Sequence, residues 1–423
     1  MKDKTLRKAA QSKGISITEY ILSEIKTIKK QTGIHSTLFA ACPNSESVIK
    51  AALRAAKRAN APIKFAATLN QVDMDGGYTG MTQQEFVRKI REEARAICFE
   101  GPIIIALDHG GPWLKDLQTI EKWDFQGSMN WIKRSFEESV TAGYDLLHID
   151  PTVDITLKKG DIISIETVAE RTIELIVHVE NFRRQHNFPK IAYEVGTEEV
   201  HGGLADLNTF RTFLQLLKDG LSKNNLSDVW PCFVVGKVGT DLHTTLFDPE
   251  VARQLTAAAS VYGSVIKGHY SDNVSNPEDY PLAGMGAANV GPEFTEAEYD
   301  GLMILTEVEK KLLNSGYVAI SSKFEETLIN AVIDSGRWKK WLLPDEVGKE
   351  FDLLSAERQL WLTKTGCRYI WAQDSVFAAR QKLYQNLERN GIQPEDVVLL
   401  SIERVMDKYF NKFNLINLND KLR

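Results

Sequence analysis

The sequence is poor in cysteine: four residues in 423, Cys42, Cys98, Cys232 and Cys367, with no CxxC pair. That excludes a thiolate zinc site and a disulfide framework, and it leads to the expectation of a reduced, cytoplasmic setting. No run approaches the ~18 apolar residues of a membrane-spanning helix, so no membrane partner is expected. The opening stretch, MKDKTLRKAAQSKGIS, carries charge but no apolar block, so no secretory signal is expected either. Basic excess is also lacking. The formal net charge is −6, which argues against a nucleic-acid partner, since such proteins usually carry a basic face. It leaves small anionic substrates open, because charge within a pocket can oppose the net value. There is no GxxxxGK[ST] phosphate loop and no kinase signature set. Low-complexity segments and short repeats are absent as well.

What is present is an ordinary globular balance, 43% apolar and 26% charged, arranged with a rhythm. Eight short apolar runs recur: STLFAAC (36–42), IKFAATL (63–69), IIIALDH (103–109), DLLHIDP (145–151), KIAYEVG (190–196), CFVVGKVG (232–239), GSVIKGH (263–269) and GAANVG (286–291). They are near-continuously hydrophobic, as strands buried on both faces are. Between them lie stretches of helical periodicity at 45–59, 81–99, 130–143, 164–185 and 205–221. Thr82 followed by Glu85 reads as a capping box, and Gly143 as a C-cap. Eight strands alternating with helices predict an α/β fold, a (β/α)₈ TIM barrel over residues 1–320. Strand count alone leaves an open doubly wound sheet as the alternative. Residues 321–423 break the rhythm and read as a helical C-terminal extension rich in Trp. It either packs on the barrel or forms an oligomer contact.

In such a barrel the chemistry sits at the C-terminal ends of the strands. Asp108 and His109 end the third run, His148 and Asp150 lie in the fourth, and Glu194 in the fifth, with Glu198, Glu199 and His201 just beyond. Asp241 and His243 follow the sixth run. His269, Ser271 and Asp272 close the seventh, and Asn289 the eighth. Three imidazoles, His109, His243 and His269, converging on one mouth with an open position describe a catalytic zinc site. Manganese or cobalt suits the same donors. Asp108 and His109 are adjacent, so both line a site only if the strand ends there and turns, which Gly110-Gly111-Pro112 permits. Asp108 is then a candidate general acid or base, and Glu198 a second one. Gln71, Tyr78, Asp150, Ser271, Asp272 and Asn289 are candidate substrate contacts. The glycine-rich stretch QVDMDGGYTGM either lets backbone approach a ligand or makes a tight turn into the next helix.

NQVDMDGGYTGMTQQEF, LDHGGP, LLHIDPT, ETVAERT, YEVGTEE, KGHYSDN and ANVGPEF, in that order, resemble the motifs of the tagatose-bisphosphate aldolase Z-subunit family across roughly residues 36–295. RYIW at 368–371 resembles the family's C-terminal region. That family is in turn similar to the zinc-dependent class II ketose-bisphosphate aldolases. The resemblance implies Asp108 as proton carrier, and His109, His243 and His269 as metal ligands. It also implies Glu194 as a carboxylate that can swing to the metal, and Asn289 as a contact to the ketose. Two positions depart. The catalytic aldolases carry glycine after the two late histidines, for backbone binding of phosphate, whereas this chain has Thr244 and Tyr270. That weighs against a bisphosphate substrate.

Members of the family are described as kinases, as non-catalytic partners of an aldolase, and as metal-dependent 4-epimerases of ketoses. The first description finds no support in the motifs. The expectation is retro-aldol chemistry on a ketose or ketose phosphate with a divalent metal, as 4-epimerase or as tagatose-bisphosphate aldolase. The alternative is a stabilising subunit of a class II aldolase. A homo-oligomer or an aldolase partner fits either reading.

Overall fold

The structure, a computed structural model, describes residues 2–158, 161–197, 206–241 and 245–423. Eight strands form a closed parallel barrel in sequence order: β1 (Leu38–Ala41), β2 (Ile63–Thr68), β3 (Ile103–Gly110), β4 (Leu146–Ile149), β5 (Ala192–Gly196), β6 (Phe233–Val235), β7 (Val265–Gly268) and β8 (Ala287–Val290). Each lies within its expected apolar run, extended by one residue at β3. The ladder that closes the sheet joins β1 to β8, with Leu38 opposite Ala287 and Ala41 opposite Val290. That pairing decides between the barrel and the open sheet. Strands so short and so apolar have no polar face to offer solvent, and closure covers them on both sides.

The crossover helices follow the local signals. The Thr82 hydroxyl caps the helix Gln83–Ala96 by accepting from the Glu85 amide, and the Glu85 carboxylate accepts in turn from the Thr82 amide. Gly143 ends the helix Phe125–Ala142 at φ 90°. That helix begins earlier than its apolar pattern suggests, because Asp124 accepts from the Gly127 amide and starts it.

Two helices precede β1, at Lys2–Ser12 and Ile17–Thr32. The first reaches the N-terminal ends of β3 and β4. Its Arg7 forks onto Asp145 at 2.5 and 3.1 Å and donates to the Ile103 carbonyl at 2.6 Å, at the N-terminal ends of β4 and β3. Two carboxylate partners, Asp145 and Asp3, hold this half-buried guanidinium in place. The C-terminal extension packs on the barrel and joins the same apolar core. Tyr409, from the helix Pro394–Lys412, stacks on Phe39 of β1 with ring centroids 5.6 Å apart, and Phe410 meets Phe39 edge-on at 5.2 Å. No helix among the described residues is long and apolar enough to cross a membrane.

Candidate active site

The top of β3 is built for two adjacent side chains to share one space. On β4, Leu147 and Ile149 are two apart; on β3 their partners, Leu107 and Gly110, are three apart. The extra residue is a bulge, and His109 takes a left-handed backbone at φ 50°. Side chains would otherwise alternate across the sheet; the bulge turns both Asp108 and His109 to the mouth. Gly110 and Gly111 make this packing possible. A Cβ on Gly111 would lie 1.8 Å from the Asp150 carbonyl oxygen, and one on Gly110 2.7 Å from that of His148. Only glycine lets the end of β3 lie this close to β4.

Asp108, His109, His148 and His269 bring one ligand atom each to within 4.8 Å of one another. The rings of His109 and His269 are 4.4 Å apart, and those of His109 and His148 5.0 Å. Asp150 binds Nδ1 of His109 at 2.6 Å and accepts the Thr152 hydroxyl at 2.5 Å. This fixes the imidazole with Nε2 turned away from the carboxylate, the arrangement that orients a metal-binding histidine. Burial works against a charged His109, but the Asp108 and Asp150 carboxylates outweigh it and raise its pKa. His148 is different. Its Nδ1 accepts the His109 backbone N–H at 3.1 Å, which places the ring proton on Nε2 and leaves no free lone pair while that bond stands. Burial lowers its pKa.

Asp108 is held at both oxygens. Lys267 Nζ donates to Oδ1 at 2.9 Å and Asn289 Nδ2 to Oδ2 at 2.8 Å. Burial disfavours its charge, yet Lys267, His269 and His109 together hold the carboxyl well below its usual range. Glu194 lies outside the ligand group. It is fully buried, hydrogen-bonded to Lys267 and 3.5 Å from Lys64. Two carboxylates and two lysines thus form a buried layer beneath the mouth. Desolvation brings Lys64 down to about 8. Imidazole nitrogens suit a divalent ion of the zinc, manganese or cobalt type, and His109 and His269 fit it, with Asp108 beside them already bonded at both oxygens. His243 and Glu198, the third expected ligand and the second expected base, lie outside the described residues.

Asp108, His109, His269 and Asn289 open into a cavity of about 240 Å³. Gln71, Tyr78 and Asp272 line it as well. Gln71 holds the loop around it, donating to the Pro43 carbonyl and to Asn44, while Tyr78 donates to Asn44 at 2.6 Å. Asp272 accepts the backbone N–H groups of Gly291 and Glu293, at 2.9 and 2.8 Å, at the start of the helix Pro292–Asn314. Ser271 is set back from the cavity; it is fully buried and takes the Tyr280 hydroxyl at 2.9 Å. Asp150 likewise serves His109 rather than the cavity. Tyr270 keeps a left-handed backbone at φ 51°, the conformation a glycine would adopt freely.

Sequence reasoning missed Lys64 and Lys267, although a lysine inside an apolar strand run, as in IKFAAT and SVIKGH, is itself a signal of a buried ion pair. It also missed that the extension reaches the mouth: Arg337, Lys340, Trp341, Arg368 and Tyr369 line the same cavity. RYIW was the one local hint.

The profile of a family described as D-tagatose-1,6-bisphosphate aldolase subunit GatZ/KbaZ-like matches residues 22–413. The D-tagatose 6-phosphate 4-epimerase of Agrobacterium fabrum is 23% identical, over 90% of this chain and 95% of its own length. A solved structure from Sinorhizobium meliloti, described as a probable tagatose 6 phosphate kinase, superposes with a TM-score of 0.71 at 21% identity, covering 89% of this chain and all of that one. The fructose-bisphosphate aldolase of Campylobacter jejuni gives a TM-score of 0.55 at 13% identity, covering 94% of each chain. At these identities the two solved structures speak for the fold.

Proposed function

The chain belongs to the D-tagatose-1,6-bisphosphate aldolase subunit GatZ/KbaZ-like family, and from that premise we propose that it is a metal-dependent ketose 4-epimerase working by retro-aldol chemistry. The observation that carries this is the meeting of Asp108, His109 and His269 in one cavity with Asn289. His109 and His269 hold the ion, with His243 as third ligand. A bound divalent ion supplies Lewis-acid polarisation of the ketose carbonyl. Asp108, kept ionised by Lys267, accepts the C4 hydroxyl proton. The C3–C4 bond breaks, its electron pair stays on the ketone fragment as an enediolate, and C4 becomes an aldehyde. Rotation of that aldehyde, re-formation of the bond on its other face and return of the proton complete the epimerisation. Glu198 is assigned as the second proton carrier. The C-terminal residues that wall one side of the cavity support epimerisation over cleavage, because added contacts there would hold both fragments longer. The name of the Agrobacterium relative supports the same choice.

The family's description as an aldolase subunit favours a second reading, a stabilising partner without turnover. Incubating the metal-loaded chain with fructose, tagatose and their phosphates, with product chromatography, tests both. Ketose interconversion without triose release is expected. Triose release makes it an aldolase, and a metal-replete chain that turns over none of these sugars supports the subunit reading.

A further inference from the structure

The extension side of the cavity carries unspent hydrogen-bond donors. Arg368 is 8% exposed, and its Nε donates to the Thr365 carbonyl at 2.8 Å. Its Nη2 is buried with no hydrogen-bond acceptor among the described residues, and the same holds for Trp341 Nε1. Both residues line the cavity. Two buried N–H groups without acceptors are costly, roughly 1–3 kcal/mol each, unless something else satisfies them. The rest of the patch is cationic. Arg337 lies over the Tyr369 ring, 4.1 Å from its centroid, and pairs with Asp116, which also takes Lys340 at 3.1 Å. Arg337 and Lys340 therefore share one carboxylate, and Arg368 lies within electrostatic range of the Asp272 and Glu296 carboxylates. Arg368 is also braced by rings, with its guanidinium 5.1 Å from the centroid of Trp341.

The usual place for phosphate in this type of barrel, the loops after the last strands and the start of the following helix, is already taken. Asp272 occupies it, accepting the Gly291 and Glu293 amides, and Tyr270 stands where a glycine would clear the approach. An anionic group on a substrate is thus turned away from the barrel's own amides and toward the extension.

We infer that Arg368, Trp341, Arg337 and Lys340 form a phosphoryl-binding subsite, so that the substrate is a ketose monophosphate whose phosphate is held by the C-terminal extension while its carbonyl end faces His109 and His269. The ketose part rests on the function proposed above; the anion subsite rests on these donors alone. Guanidinium groups suit it because their planar fork bonds two phosphate oxygens at once.

Calorimetry on the full-length, metal-loaded chain tests this, with fructose, fructose 6-phosphate, a ketohexuronate and inorganic phosphate as probes. Fructose 6-phosphate is expected to bind at least tenfold more tightly than fructose, and inorganic phosphate to compete. Arg368→Gln should abolish that ratio while leaving fructose affinity within about twofold. Arg337→Gln and Lys340→Gln, at less buried positions that guard against misfolding, should lower it several-fold. A wild-type ratio near one, or a ratio unchanged in all three variants, overturns the subsite. Tighter binding of the hexuronate than of the sugar phosphate overturns the phosphoryl assignment. If no sugar binds, but inorganic phosphate does and Arg368→Gln loses it, the subsite stands and the ketose reading falls.

Discussion

The two sides of the cavity differ in how their polar groups are spent. On the barrel side, Asp108 is bonded at both oxygens, His109 is tied to Asp150, and Glu194 is locked to Lys267. On the extension side, Arg368 and Trp341 keep buried N–H groups without acceptors among the described residues; on the barrel side His148 Nε2 and Asn289 Oδ1 are open in the same way, beside side chains that are otherwise tied down. A group already bonded on several sides is held in geometry and charge, as reacting and metal-binding groups must be. The difference is one of charged groups: the barrel's are tied on several sides, whereas the Arg368 guanidinium is tied through Nε alone among the described residues, and this supports the proposal of chemistry on the strands and recognition on the extension.

The largest effects should come from breaking the barrel side. His109→Ala or His269→Ala should lose the bound ion and all measurable turnover, read by metal analysis and product chromatography. Retained metal would remove that residue from the ligand set. Asp108→Asn keeps the shape but cannot accept a proton, so metal content should persist while kcat falls by about 10²–10⁴; unchanged kcat takes Asp108 out of the reaction. Asp150→Asn acts one step back, through the orientation of His109. Metal affinity should weaken by about 10–100-fold, with folding intact by circular dichroism, and wild-type affinity would show that the Asp150–His109 bond does not orient the ligand.

The smallest effect belongs to Asp272. Burial pushes its carboxyl up to about 7, against an unfolded value of about 3.9. Between those values the folded chain holds a proton that the unfolded chain releases, so this group adds stability below about pH 4 and loses it as pH rises through 7. Asp272→Asn removes the charge and keeps an acceptor for the helix start. Its melting temperature should exceed wild type at pH 8 and approach it toward pH 5; a difference independent of pH would contradict the buried charge.

The strands were legible because β-strands buried on both faces leave continuous apolar runs, and the helix ends because Thr82, Glu85 and Gly143 act locally. Asp108, His109, His269 and Asn289 were legible for a related reason: in a parallel barrel, position along a strand gives position in the site. Local pattern does not show how side chains are spent across the fold. Ser271 is equally polar in sequence, yet Tyr280 takes it inward. Glu194 ends bound to Lys267 from β7 and close to Lys64 from β2. The reach of the extension is the extreme case, since Arg337 meets Asp116 across 221 residues of chain. No window of sequence carries that contact.

The most direct test is to follow fructose 6-phosphate and tagatose 6-phosphate by chromatography with the chain as purified, stripped by chelator, and reloaded with zinc or manganese. The account predicts interconversion of the two ketoses without triose release, lost on stripping and restored on reloading. Interconversion that survives complete removal of metal, or none in the reloaded chain, would contradict it.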